Sequence, residues 1–415
     1  MNQAMRTNLE IVWVAVGIAL TNAAQLRPTS LPIGPGEVIL SIWMLRVGIG
    51  IAILRHHLIM PITRVIFWFW IISFICLTIG FSIAESENLT SNDAFHDLLA
   101  FVFVSSFSVA FLIWLPANKD FKKLLLVYLS FIIFSLFIIF YLPFLVPFLD
   151  PWLDGVRFMG WSTDPNQLSI LLSPIPFLSL HLFTLSNNIL EKSWYIFLIL
   201  MTFVLGIATQ SDSLRLGWTI AILVALFLGI YRGVSKGMVS YFRPDKKFVI
   251  KQLLLLSLFL IILFLGYVVY EQVYAVMSDL YNYGSQGGDR LTLWGNAIAA
   301  LFHSPLFGLG PGAHSGYAQP FLDFEAHNTF IDWAASYGII GLICYLSLLG
   351  WVGWKAWKSG SSILVAALIS LVGYSVFVYV ARHIVFWFSL LAIANLSAPS
   401  LNQKPTNREN SIYLK

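Results

Sequence analysis

The residues of this chain with the most chemical potential are a histidine and several arginines, each set beside an apolar run. His327-Asn328 stands directly before a long hydrophobic stretch. An imidazole can exchange a proton near neutral pH or bind a metal. Arg215 closes Gln210-Ser-Asp-Ser-Leu-Arg215, at the start of another apolar run, and Arg290 follows Gly287-Gly-Asp. Arg157 and Arg382 border two more. A guanidinium keeps its charge when partly buried and forks onto phosphate or carboxylate. In the first turn of a helix, Arg215 opposes the macrodipole unless an anion sits there, and then free backbone N–H groups and the guanidinium act together. The plainer account pairs these arginines with Asp150, Asp154, Asp164, Asp212, Asp289 and Glu325, and makes His327 an interfacial side chain. His303, His314 and His327 have no familiar zinc-ligand spacing, so no metal site is expected. Ser304-Pro-Leu-Phe-Gly-Leu-Gly-Pro-Gly312 lacks the Lys-Ser/Thr of a phosphate loop. Its glycines permit sharp bends or the close approach of backbone to a ligand.

Membrane helices must position these residues. The 415-residue chain is 58% hydrophobic and 11% charged, well below the charge of a soluble protein. Apolar runs of bilayer length recur throughout. They predict an all-α, polytopic protein with about twelve transmembrane helices, near 9–25, 32–54, 62–83, 95–115, 123–147, 167–186, 194–210, 213–231, 250–270, 329–351, 361–379 and 382–398. Residues 1–398 form a single multi-pass domain, with a long non-cytoplasmic loop over 271–328 and a cytoplasmic, disordered tail over 399–415. Within that loop Leu291, Trp294, Ile298 and Leu301 follow a helical period, which predicts a short amphipathic helix on the membrane surface with Arg290 in its first turn. Ala334 and Gly338, four apart, suit close helix packing. Cys76 and Cys344 lie inside apolar runs, as packing residues.

With the N-terminus in the cytoplasm, every lysine falls on the cytoplasmic side, and the cations left outside are all arginine: Arg27, Arg157, Arg215, Arg290 and Arg382. The basic residues form no stripe, so nucleic acid is not an expected partner.

At these residues the chain resembles the O-antigen ligase and O-antigen polymerase superfamily of bacterial envelope glycan enzymes. The resemblance rests on His327-Asn328, nine residues and Gly338-Ile-Ile-Gly341, preceded by Arg290…Trp294 and Ser304…Gly312. Arg157-Phe-Met-Gly160, Asp164-Pro-Asn166 and Ser211-Asp-Ser-Leu-Arg215 extend it over roughly 150–350. It implies a type C glycosyltransferase architecture in the bacterial inner membrane, acting on the non-cytoplasmic side. It also implies metal-independent, inverting transfer from a polyprenyl-diphosphate-linked glycan to a glycan or lipid-glycan acceptor, with no cofactor. In that reading Arg215 and Arg290 stabilise the diphosphate, His327 takes the acceptor proton, Asn328 orients the acceptor, and Arg157 and Arg382 help hold the donor. Polymerase, ligase and protein-acceptor transferase stay open. Two other classes compete: a non-catalytic glycan assembly protein, and a transporter, suggested by Glu37 and Arg46 nine apart in the second span.

Overall fold

The computed structural model describes residues 3–28, 33–54, 61–90, 94–115, 118–237, 286–313 and 325–398. The expected span at 250–270, His314 and the tail from 399 lie outside the described residues.

Apolar runs form helices because a backbone in hydrocarbon must satisfy its own hydrogen bonds. The helices are α1 (Gln3–Leu20), α2 (Pro35–Leu54), α3 (Pro61–Ser86), α4 (Ala94–Trp114), α5 (Asn118–Tyr141), α6 (Pro165–Leu172), α7 (Ile175–Leu185), α8 (Ile189–Ala208), α9 (Asp212–Gly237), α10 (Gln286–His303), α11 (Thr329–Lys358), α12 (Ser362–Ser375) and α13 (Ile384–Leu396). The exception to all-α is a two-stranded antiparallel hairpin between α5 and α6, in which β1 (Trp152–Leu153) pairs with β2 (Arg157–Phe158). Large apolar side chains such as Leu45, Ile49, Trp68, Ile75, Leu200 and Ile207 face outward. That is the inverse of a soluble surface and marks a face for lipid.

Against the expectation of about twelve spans, seven segments among the described residues are long and apolar enough to cross a membrane. They are α3, α4, α5, α6 with α7, α8, α9 and α11. The helices standing where three further spans were expected, α1, α12 and α13, are shorter apolar elements. At about 1.5 Å per residue, the 14 residues of α12 reach some two-thirds of a bilayer core.

Two helices are broken, for different reasons. The expected span 167–186 divides into α6 and α7 at Ser173-Pro174, because proline supplies no N–H and its ring opposes continuation. The Ser173 carbonyl is satisfied from outside, by Trp218 Nε1 at 3.0 Å and Ser370 Oγ at 2.9 Å. In α11 the break is at Gly338, with φ 67° and ψ −170°. The segment Ser304–Gly312 docks into it: Leu309 N donates to Ala335 O, Gly310 N to Ser336 O and Ile339 N to Pro305 O, at 2.9, 3.1 and 2.9 Å. A Cβ on Gly338 would lie 2.3 Å from the Leu306 backbone, and one on Gly308 would lie 2.5 Å from Ala335 O. The glycines therefore serve backbone-to-backbone contact within the fold, where the sequence left a ligand open. Gly338 is a break rather than a packing notch.

The amphipathic helix exists as α10. Leu293, Ala297 and Ala300 pack with Ala84, Leu309, Ala326 and Ala335, while Leu291, Ile298 and Phe302 are exposed. The packed stripe uses small residues because α10 lies close against α3 and α11; the bulkier ones face outward. Arg290 falls in the second turn of α10, since the helix begins at Gln286.

The two charges behind the transporter reading are not partners of each other. Arg27 pairs with Glu37 at 2.6 Å, and Arg46 pairs with Glu10 of α1 at 2.9 Å.

Candidate functional site

The segment before α11 is built around His327. Asn328 caps the helix, its Oδ1 accepting from Phe330 N and Ile331 N at 3.0 and 3.2 Å. Asp332, one turn into the helix and fully buried, answers in reverse. Its carboxylate accepts from Ala326 N at 3.0 Å and Asn328 N at 3.2 Å. The residue between those two amides is forced into the left-handed region, with φ 51° at His327. An L-residue there carries a cost of roughly 1–2 kcal/mol, sustained only where surrounding bonds over-determine it. Thr329 completes the clamp, donating to Val378 O at 2.7 Å and accepting from Val380 N at 2.9 Å, in the loop between α12 and α13. Asn328 is therefore a capping residue whose carbonyl oxygen is engaged, rather than one turned toward an acceptor.

The His327 side chain remains partly exposed, with Nδ1 3.9 Å from Glu325 Oε2. Arg382 pairs with the other oxygen of Glu325 and with Asp97 Oδ1 at 2.9 Å. Asp97, fully buried near the start of α4, also accepts from Gly312 N at 3.0 Å. Arg382, expected among the donor-binding residues, thus has both arms on carboxylates of the chain. Its guanidinium also lies over the Tyr379 ring, 4.9 Å from the centroid. Burial drives the Tyr379 phenol well above its usual range, and the nearby Asp97 carboxylate adds to this. His303 contacts Glu87, so its partner differs from that of His327.

Two of the other arginines, Arg157 and Arg215, reach the end of α8. Arg157, on β2, donates Nε to Thr209 O at 3.3 Å, and Arg215 directs Nη2 to Ile207 O at 3.4 Å. The last carbonyls of a helix lack intrahelical donors and carry its negative pole. This resolves the unfavourable placement of Arg215: it begins α9 but reaches back across the turn to the C-terminal end of α8. The pairing anticipated with Asp212 is also present, at 3.4 Å to a largely exposed carboxylate.

The α8–α9 turn is tied to α6 and α12. Ser211 Oγ donates to Asn166 Oδ1 at 3.0 Å, and Tyr374 OH donates to Asn166 O. Asp164 caps α6 through Asn166 N. Arg157, Arg290 and Asp164 all lie close enough to the Tyr374 phenol for their charges to bear on it. Among the described residues neither Arg157 nor Arg290 forms an ion pair with a carboxylate. The same end of the helices thus holds a group of guanidiniums around Tyr374 and, across α10 and α11, the carboxylate-flanked His327. Lys355 and Lys358 stand at the opposite end, over Trp351 and Trp354.

Residues 196–346, from α8 into α11, match the model of the family described as O-antigen ligase. The likeness to the O-antigen ligase family covers this segment, somewhat over a third of the chain. The matched segment contains Arg215, Arg290, His327 and Asn328, and leaves Arg157 and Arg382 outside. A search of curated proteins finds no match. Within this segment the sequence reading found the histidine, Asn328 and two arginines, and outside it Asp164-Pro-Asn166, but passed over Asp332, Asp97 and Tyr374. The signal for Asp332 was present: an acid at the start of an apolar run, four residues after a capping asparagine, is placed to bond the amides that precede the helix. Asp97 and Tyr374 had no such signal, because their partners are hundreds of residues away.

Proposed function

We propose that this protein, like the O-antigen ligase family its segment 196–346 resembles, transfers a glycan from a polyprenyl diphosphate to an acceptor hydroxyl, with inversion and without a metal ion, on the non-cytoplasmic side of the bacterial inner membrane. The observation that carries the reading is the pair Arg157 and Arg215 at the C-terminal end of α8, on the same side of the helices as the His327 turn that Thr329 ties to Val378. Guanidiniums that meet no carboxylate among the described residues suit a ligand that brings its own negative charge.

The acceptor oxygen attacks the anomeric carbon in line. The bond from that carbon to the phosphate oxygen breaks, and its electron pair leaves on the diphosphate. The acceptor proton passes to His327. Arg157, Arg290 and Arg215 stabilise the charge that grows on the leaving group, a contribution that is often the largest in such catalysis. Fixed guanidiniums take the part that a divalent cation has in other diphosphate sites.

The test is transfer from a defined polyprenyl-diphosphate oligosaccharide by purified protein in lipid nanodiscs, followed as a mobility shift of the product. Activity should survive a strong chelator, and the new linkage should have the anomeric configuration opposite to the donor's. Retention of configuration, or loss of activity that only a metal restores, contradicts the mechanism. For the side of the membrane, single cysteines at 290 and 358 in a background without Cys76 and Cys344 are treated with an impermeant thiol reagent in intact cells. Labelling at 358 and not at 290 reverses the topology.

A further inference from the structure

His327 sits among carboxylates, and the arginines that contact acids near it are already neutralised. Glu325 offers one oxygen to Arg382 and turns the other to His327 Nδ1, 3.9 Å away. Arg382 is in turn fixed by Asp97, which is fully buried and tied to the glycine-rich segment through Gly312 N. A buried ion pair of this sort contributes little net stability, because both charges leave water; its use is to fix geometry. Asp332 holds the amides on both sides of His327 and so sets where the ring can be. The arrangement runs from Asp97 to Arg382 to Glu325 to His327, across α4, the loop before α13 and the loop before α11.

We propose that Glu325 is the positioning residue of His327, and that Arg382 and Asp97 form its bracket rather than a donor contact. This rests on the glycosyl-transfer reading and deepens it. At 3.9 Å the contact is electrostatic, and a small rotation closes it to a hydrogen bond from Nδ1–H, which leaves Nε2 as the proton acceptor. Distances of this kind are common before substrate binds and tighten in the reacting complex. When His327 takes the acceptor proton it becomes an imidazolium, and the Glu325 carboxylate lies beside the new positive charge. The site is then polarised to match the reaction. The Glu325 carboxylate neighbours the group that gains positive charge, and the arginines of the proposed donor site meet the group that gains negative charge. The electron pairs and the proton move as in the displacement already described, with no further reactant.

The discriminating variants are Glu325→Gln, which keeps the shape and an oxygen for Arg382 but loses the charge, His327→Ala, and the two together. Donor affinity, transfer rate at saturating donor, and thermal unfolding are measured for each in nanodiscs. Glu325→Gln should lower the transfer rate roughly 10- to 100-fold while donor affinity and unfolding temperature stay near those of the parent. The double variant should be no slower than His327→Ala alone, because residues acting as one unit are not additive. Losses that multiply, or a fall in donor affinity equal to the fall in rate, overturn the positioning role. Full activity in Glu325→Gln with an inactive His327→Ala also overturns it, while leaving glycosyl transfer standing. Full activity in His327→Ala removes the general base and the proposal together.

Discussion

His327 and the arginine group occupy the same end of the helices and are built in opposite ways. The backbone around His327 is saturated: one buried carboxylate holds the amides on either side, Thr329 is bonded twice to the α12–α13 loop, and the ring has a carboxylate neighbour. Around Tyr374 the situation is reversed. Among the described residues Arg157 and Arg215 reach carbonyls and one exposed acid, and Arg290 has no carboxylate partner. A saturated region holds a single geometry without help, which suits a group that must meet one proton. A region with cations left over is completed by its ligand, which suits the binding of a diphosphate. Substitutions in the first region should therefore alter rate or stability, and those in the second should alter affinity.

The largest effect is expected at His327 itself. His327→Ala should reduce transfer about 10²- to 10⁴-fold, the usual range for loss of a general base, and leave donor affinity unchanged. Binding of a radiolabelled donor alongside turnover decides this; an equal loss of both would erase the contrast between the regions.

Next comes Asp332→Ala. Two buried amides lose their acceptor, at about 1–3 kcal/mol each, so the unfolding temperature in detergent should fall by several degrees. Asp332→Asn, which retains one acceptor oxygen, should fall about half as far. An unchanged unfolding temperature would mean that the His327 turn is held by something other than this carboxylate.

A smaller and different effect is expected for Arg157→Ala and Arg290→Ala. Each removes charge-assisted contacts of roughly 1.5–3 kcal/mol, so donor affinity should weaken about 10- to 100-fold with little change in unfolding temperature. Lysine at either position should be intermediate, since it restores charge without the fork. A marked loss of stability with wild-type affinity would return these arginines to a structural role.

The smallest effect belongs to Arg215→Ala. Its partner Asp212 is exposed, and such pairs contribute about 0–1 kcal/mol to stability. Unfolding should scarcely move, and donor affinity should fall only severalfold. A loss as large as that of Arg290→Ala would show that Arg215 turns from the α8 carbonyls to the ligand.

How far the sequence was legible differed between these regions. His327, Asn328, Arg215 and Arg290 stand beside recognisable starts of apolar runs, and the family match spans all four. Their partners were not legible. Arg382 was expected to face the donor, yet it pairs with Asp97, 285 residues earlier in the chain. The expected span at 167–186 stands as one membrane-length segment, but the break between α6 and α7 inside it was marked only by Pro174 and Pro176. The face of α10 that packs on the protein, Leu293, Ala297 and Ala300, was not legible, because close contact between helices selects small residues that a hydrophobic period does not single out.

By itself the amino-acid sequence determined the membrane character, the helical class and the sorting of lysines and arginines to different ends of the apolar runs. These depend on side-chain type and local spacing, which act residue by residue. Only the tertiary structure decided which arginines are neutralised and which remain available, why His327 sits at φ 51°, and why Ser304–Gly312 is rich in glycine. Each of those depends on atoms from distant segments meeting within a few ångströms. Charge pairing and backbone contact fall away steeply beyond that distance, and no local pattern in the chain encodes which segments will meet.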